Sequence, residues 1–87
     1  MRLEWIRCFN EVAKSGSITK AAQNLYITQP AVTKIIHALE AELEETLFIR
    51  STSGVRLTEQ GKIFERFARQ VLKDYDHYLS EKNAHKE

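Results

Sequence analysis

At 87 residues the chain suffices for one domain with an appendage, and a compact unit of about 60 residues buries only about 60% of its unfolded surface, so its margin is thin. A single cysteine, Cys8, excludes an intramolecular disulfide framework and fits a reducing compartment, and no apolar run approaches a membrane span. The net charge of +1 hides an uneven distribution: residues 1–39 hold five Lys/Arg against two Glu, residues 40–45 hold four Glu, and residues 46–73 hold six Lys/Arg against two Glu. The rest, 74–87, holds two Lys against four acids. Basic blocks of this kind suit an anionic partner, although ordinary solvated charge gives the same count.

Residues 3–15 are predicted to form the first helix. Trp5, Ile6, Phe9, Val12 and Ala13 recur at three and four, which makes one face core. Cys8 lies beside that face and reads as a buried, inert thiol, since nothing in the sequence marks an activating base. Arg2 and Glu4, followed by this amphipathic spacing, do not read as a signal peptide. Ser15-Gly16-Ser17 is a stop and restart: Gly16 suits a left-handed cap and Ser17 suits the next N-cap.

The second helix, about 18–25, turns Ile18, Ala21, Ala22 and Leu25 inward, and the alanine pair allows a close helix crossing. Tyr26-Ile27-Thr28 then turns the chain. Thr28 is a plausible cap for a third helix, with Pro30 in its first turn, where a missing N–H costs nothing. On a wheel of about 100° per residue, Val32, Ile35, Ile36, Leu39 and Leu43 form a core stripe. Opposite them stand Pro30, Thr33, Lys34, His37, Ala41 and Glu44, with Glu40 nearer the edge. Lys34 and His37 come early, Glu40 and Glu44 late. Such a helix is expected to approach DNA by its N-terminus, where the macrodipole is positive, and to tilt its carboxylates away from phosphate. Gln29 is the first side chain able to reach a base edge.

Glu44-Glu45-Thr46 reads as a poor helix end, with carboxylates opposing the macrodipole and no glycine to cap it. Leu47-Phe48-Ile49 and Val55-Arg56-Leu57 are short apolar arms around Arg50-Ser51-Thr52-Ser53-Gly54, which predicts a hairpin. After a helix-turn-helix this hairpin is a wing, with Arg50 and Arg56 at its base as backbone contacts. Thr58 starts a long last helix to about residue 82. Phe64, Phe67, Ala68, Val71, Leu72, Tyr75, Tyr78 and Leu79 form its apolar stripe. At roughly 36 Å it outruns the core beneath it, so a second copy is its expected cover, with a missing C-terminal domain as the alternative.

Phe9, the GSITKAA run from Gly16, Leu25, TQPAVTK from Thr28, Leu39-Glu40, Leu47-Phe48, Arg50 and GVRLTEQG from Gly54 together resemble the N-terminal DNA-binding domain of LysR-type transcriptional regulators. The resemblance covers residues 3 to about 61 closely. It implies a mainly α fold: a bacterial winged helix-turn-helix of three helices and a two-stranded wing over residues 1–58. A linker helix for dimerisation, with a tail, then occupies 59–87. The family's DNA contacts carry over to Gln29, Pro30, Ala31, Thr33 and Lys34, and in the wing to Arg50, Ser51, Thr52 and Ser53. The capping residues Ser17 and Thr28 and the outward His37 complete the candidate DNA-binding set. Phe64, Phe67, Val71, Leu72, Tyr75, Tyr78 and Leu79 are the candidate dimer residues.

Four positions depart from the family pattern. Lys34 stands where arginine is common and loses the bidentate fork. Ile35 stands where glutamine is common. Glu44 replaces the glycine that usually ends the recognition helix, so that junction is expected to be reshaped. Ser53 replaces a frequent arginine, which weakens minor-groove readout by the wing.

The implied partners are double-stranded DNA, as an imperfect palindromic operator, and a second copy of the chain, with a tetramer as an option for a full-length protein. The implied location is the bacterial cytoplasm, at the nucleoid. A small-molecule effector enters only through a C-terminal domain absent here, so the chain is expected to be a fragment, with a naturally short protein as the lesser alternative. No cofactor, metal or membrane partner is expected. His37, His77 and His85 are scattered, and no acid pair, His/Cys cluster or phosphate loop marks an enzyme. The competing reading is a winged-helix module that binds protein and not specific DNA; steep salt dependence of DNA affinity distinguishes the two.

Overall fold

A computed structural model describes residues 1–84; His85 and the end of the expected tail lie outside the described residues. The elements run α1 (Leu3–Ser15), α2 (Ile18–Leu25), α3 (Gln29–Leu43), β1 (Phe48–Ser51), β2 (Gly54–Leu57) and α4 (Glu59–Ala84). Periodicity placed the first three helices well, and their ends follow from local chemistry. Gly16 closes α1 at φ 65°, donating its N–H to the Val12 carbonyl. Ser17 caps α2 through a hydrogen bond from the Lys20 N–H, and Thr28 caps α3 through one from the Ala31 N–H.

The two helix ends that lack glycine adopt the glycine conformation anyway. Tyr26 after α2 and Glu44 after α3 both take left-handed φ values, 58° and 55°. Each closes its helix with a paired turn: Tyr26 and Ile27 donate to the carbonyls of Gln23 and Ala22, and Glu44 and Glu45 donate to those of Ala41 and Glu40. The junction at Glu44 is therefore not reshaped, contrary to the sequence expectation. The hydrogen bonds outweigh the cost of about 1–2 kcal/mol that a side chain brings to this conformation.

Phe9 is the centre of the core. Its ring stacks edge-on against Phe64 of α4, with centroids 4.8 Å apart, and tilts onto Phe48 of β1 at 5.1 Å. Val12, Ala21, Val32, Leu39 and Ala68 are fully buried around it, and no polar side chain is buried among the described residues. Cys8 is buried as well, and desolvation pushes its thiol up to about 11. That keeps it protonated and unreactive at neutral pH.

The wing is a two-stranded antiparallel hairpin that pairs Phe48 with Leu57, Ile49 with Arg56, Arg50 with Val55 and Ser51 with Gly54. The arms are longer and the turn shorter than the sequence implied, because Arg50 and Ser51 extend β1 and leave only Thr52-Ser53 between the strands. Val55 donates its N–H to the Gly16 carbonyl at 3.0 Å. A side chain at Gly54 would stand 2.7 Å from that same carbonyl oxygen, so the α1–α2 junction presses directly on the wing.

Thr58 caps α4: its hydroxyl accepts from the Gly61 N–H at 2.9 Å and donates to the Thr46 carbonyl, while its own N–H reaches the Leu47 carbonyl. Gly61 sits where α4 meets this strand, and a Cβ there would fall 2.1 Å from the Leu47 oxygen. Helix propensity favours alanine over glycine by about 1 kcal/mol, whereas forced overpacking costs about 1–3 kcal/mol or more. Because the clash is with backbone, it prevails. Gly61→Ala should lower stability by at least about 1 kcal/mol in urea unfolding; a stabilised variant would show that α4 does not dock this closely.

Candidate nucleic-acid interface

The start of α3 presents a surface without acids: its first turn carries none. Gln29, Pro30, Lys34 and His37 are exposed, while Ala31 and Thr33 are half-buried at the margin of the core. The positive end of the helix macrodipole lies under these side chains and favours an anionic partner. Thr28 is exposed but its oxygen is engaged in the cap. Ser17 is half-buried, capping α2 while its carbonyl accepts the Ser15 hydroxyl. Of the expected DNA set, these two hydroxyls are the ones most committed to the fold.

Along β1 side chains alternate, so Arg50 shares the face of Phe48, the one packed toward the helices. From there its Nη2 donates to Thr33 Oγ1 at 3.4 Å, joining wing and α3. Arg56 pairs with Ile49 and so lies on the opposite face of the wing. The two arginines that sequence reasoning grouped as one contact are separated by the pleat. Ser51, Thr52 and Ser53 form the exposed tip, where the Ser51 and Ser53 hydroxyls lie 3.0 Å apart.

Glu40 requires a correction. On the wheel it stood near the outward edge, among the carboxylates expected to tilt away from phosphate. Instead its Oε2 accepts from the backbone N–H groups of Leu47 at 2.7 Å and Phe48 at 3.3 Å. The carboxylate faces the start of β1 because two amides there have no other strand to pair with. Glu42 is likewise engaged, 2.9 Å from the N-terminal ammonium. The charge along α3 is therefore sorted more sharply than the sequence implied, with Lys34 and His37 left to face outward.

The apolar stripe of α4 also divides. Phe64 belongs to the monomer's own core, as its contact with Phe9 shows, so it is withdrawn from the expected dimer face. It falls there because α4 crosses α1 within its first three turns, where Ala68 is fully buried too. Val71 and Leu72 pack partly on the same core and Leu79 is half-buried. Phe67 and Tyr78 remain 51% and 57% exposed. Tyr75 is flanked by Arg7, whose guanidinium lies 5.7 Å from the ring centre and 3.8 Å from Asp76.

Sequence reasoning missed Tyr26. It was read as part of a turn, yet it projects into solvent at 95% exposure two residues before the Thr28 cap. An aromatic residue in the left-handed region beside a binding helix is the signal that identifies it once the backbone is known. Among the described residues no group of His, Cys, Asp and Glu could hold a metal ion, and no helix is long and apolar enough to cross a membrane.

Comparison with known proteins agrees with this geometry. Residues 3–62 match the family model of the bacterial regulatory helix-turn-helix proteins of the lysR family. The chain is 40% identical over 75 residues to the HTH-type transcriptional regulator YxjO of Bacillus subtilis (strain 168), covering 86% of this chain and 26% of that protein. It superposes on the BenM DNA-binding domain in its catB site 1 DNA complex with a TM-score of 0.93 at 34% identity, covering 97% of this chain and 94% of that one. The CbnR DNA-binding domain in its DNA complex gives a TM-score of 0.90 at 33% identity, with 97% of each chain covered. The chain spans about a quarter of the length of the curated relatives it matches. From its capped helix-turn-helix to its tethered wing, this chain belongs to the LysR family of bacterial regulatory helix-turn-helix proteins.

Proposed function

We propose that this chain is the DNA-reading head of a LysR-type transcriptional regulator, inserting α3 into the major groove by its N-terminus and resting the wing on the backbone alongside. One observation carries the reading. The acid-free first half of α3, with Gln29, Pro30 and Lys34 exposed, stands next to Arg50 on the inner face of the wing. The likeness to the BenM and CbnR domains, both of them in DNA complexes, supports it. Tyr26, 95% exposed two residues before the Thr28 cap, adds an aromatic side chain to the same surface. DNA as partner implies a cytoplasmic protein at the nucleoid. Effector binding and any tetramer are assigned to a C-terminal domain outside this chain.

The roles of the side chains differ by chemistry. Gln29 can pair in bidentate fashion with adenine, whereas Lys34 offers a point charge suited to phosphate. Gln29→Ala should cost about 1–3 kcal/mol on the preferred duplex and relax choice at one base step. Lys34→Ala should weaken all duplexes alike and reduce the salt slope by about one unit. Fluorescence anisotropy across a salt series separates the two; equal losses for Gln29→Ala on preferred and random duplexes would remove its reading role.

Dimerisation through α4 completes the proposal. Its 26 residues give a rod of about 39 Å, of which only the first half is covered by its own domain. Phe67 on the open side of that half, and Tyr75 and Tyr78 beyond it, follow at helical steps, and an antiparallel copy is the simplest cover. Two α3 helices held apart by such a rod suit successive major-groove faces about 34–36 Å apart, and hence an imperfect palindrome. Tyr78→Asp places an unpaired charge in that seam away from the core, and Phe67→Asp places one beside the core ring of Phe64, 5.5 Å from that of Phe67. Sedimentation equilibrium at micromolar concentration should show a dimer for the native chain and monomers for both variants, with helix content retained. A monomeric native chain would contradict the assignment.

A further inference from the structure

We infer that the wing straddles the minor groove beside the half-site, with Arg50 on the phosphates of the near strand and Arg56 on those of the far strand. The inference rests on the placement of α3 in the major groove proposed above. It adds to the binding surface a second arginine, from the outer face of the wing.

Strand register supplies the geometry. Phe48 pairs with Leu57 and Arg50 with Val55, and directly opposite residues share a face. Phe48 is buried, and Val55 and Leu57 pack against the core, so this face is turned toward the helices. Ile49 and Arg56 form the alternate pair, and both are exposed on the outer face. In the hollow that Arg56 shares with Glu59 and Lys62, the Glu59 carboxylate lies 3.3 Å from the Lys62 ammonium. Among the described residues no acid pairs with Arg56. Its guanidinium, planar and weakly hydrated, is suited to phosphate oxygens.

Duplex geometry then sorts the two charges. The strand that bounds the major groove on the side of the wing also bounds the adjacent minor groove. With α3 in the major groove, the space between α3 and the wing lies over that strand. Arg50 occupies this space, 3.4 Å from Thr33. Arg56 leaves the wing in the opposite direction. Side chains stand about 5 Å out from each face of a sheet, half the spacing of about 10 Å between packed sheets. Two guanidiniums on opposite faces are therefore at least about 10 Å apart. That is too far for one phosphate and enough to flank a minor groove about 6 Å wide. A ribbon of such thickness does not fit an undeformed minor groove. Its tip, Thr52 and Ser53, offers hydroxyls and no charge, and the Ser53 hydroxyl is engaged with that of Ser51. The wing thus grips both strands without reading bases, since phosphate carries no sequence.

The test uses the 87-residue chain on a duplex selected from a randomised pool, and on copies in which one phosphate at a time is replaced by an uncharged methylphosphonate. Arg56→Ala should bind about three- to tenfold more weakly at moderate salt, the range of one charge-assisted contact at the exposed rim. The factor should be the same on A·T-rich and G·C-rich flanks, and the salt slope should fall by about one unit. Arg56→Lys keeps the charge and should keep the slope. Neutral linkages should weaken the native chain at one position on each strand, across the minor groove from one another. Arg56→Ala should lose sensitivity to the far-strand linkage alone, and Arg50→Ala to the near-strand linkage alone. If both arginines answer to linkages on the same strand, or if Arg56→Ala keeps the native affinity and slope, the inference is overturned while major-groove reading by α3 stands. If the native chain binds no duplex in a salt-dependent way, the DNA-reading role falls and the inference falls with it.

Discussion

The backbone of Leu47 is the joint on which the binding surface depends. Its N–H is held by Glu40 of α3, its carbonyl accepts the Thr58 N–H at the start of α4, and its side chain is 1% exposed. One peptide segment thereby fixes the recognition helix, the wing and the linker helix relative to each other. Each bond contributes only about 1 kcal/mol net, but leaving its buried partner unmade costs about 1–3 kcal/mol, so the joint is enforced by what its loss would expose. Gly61 completes it from the other side by letting α4 approach the same carbonyl without a Cβ.

This arrangement makes the small domain more rigid than its size suggests. Three phenylalanines, one each from α1, β1 and α4, meet at its centre, so the wing is part of the core and not a loose flap. Burial of each ring contributes about 1.5–3 kcal/mol. The same packing explains why α4 serves two purposes along its length. Its first turns are needed to complete the monomer, and its later turns, beyond Val71 and Leu72, carry Tyr75, which the Arg7 guanidinium flanks, and the more exposed Tyr78.

Much of this was legible in the sequence because it is local. Helical spacing placed α1 to α3, Ser17 and Thr28 announced their caps, and Thr58 the start of α4. Gly16 announced the left-handed turn. What was not legible depends on partners distant in the chain or on backbone states not tied to residue type. The inward turn of Glu40 rests on amides seven and eight residues away that become available only once β1 lies beside α3. Assignment of Phe64 to the core rests on the crossing of α4 over α1, which a wheel cannot show. Tyr26 and Glu44 hold a conformation usually left to glycine, so no compositional signal marked it. The separation of Arg50 from Arg56 followed from one residue of strand register, to which a two-residue periodicity is acutely sensitive.

The central claim is that α3 and the wing form one surface set by the clamp of Glu40 on Leu47 and Phe48. DNA affinity of Glu40→Ala tests it most directly, because charge alone and clamp predict opposite signs. Removing a carboxylate from a DNA-facing helix strengthens binding if only Coulomb repulsion matters. If the carboxylate holds the wing in place, its loss frees β1 and weakens binding. Measured by anisotropy on the preferred duplex, with secondary structure intact, Glu40→Ala should bind at least about tenfold more weakly than the native chain, about 1.4 kcal/mol; equal or tighter binding would contradict the account.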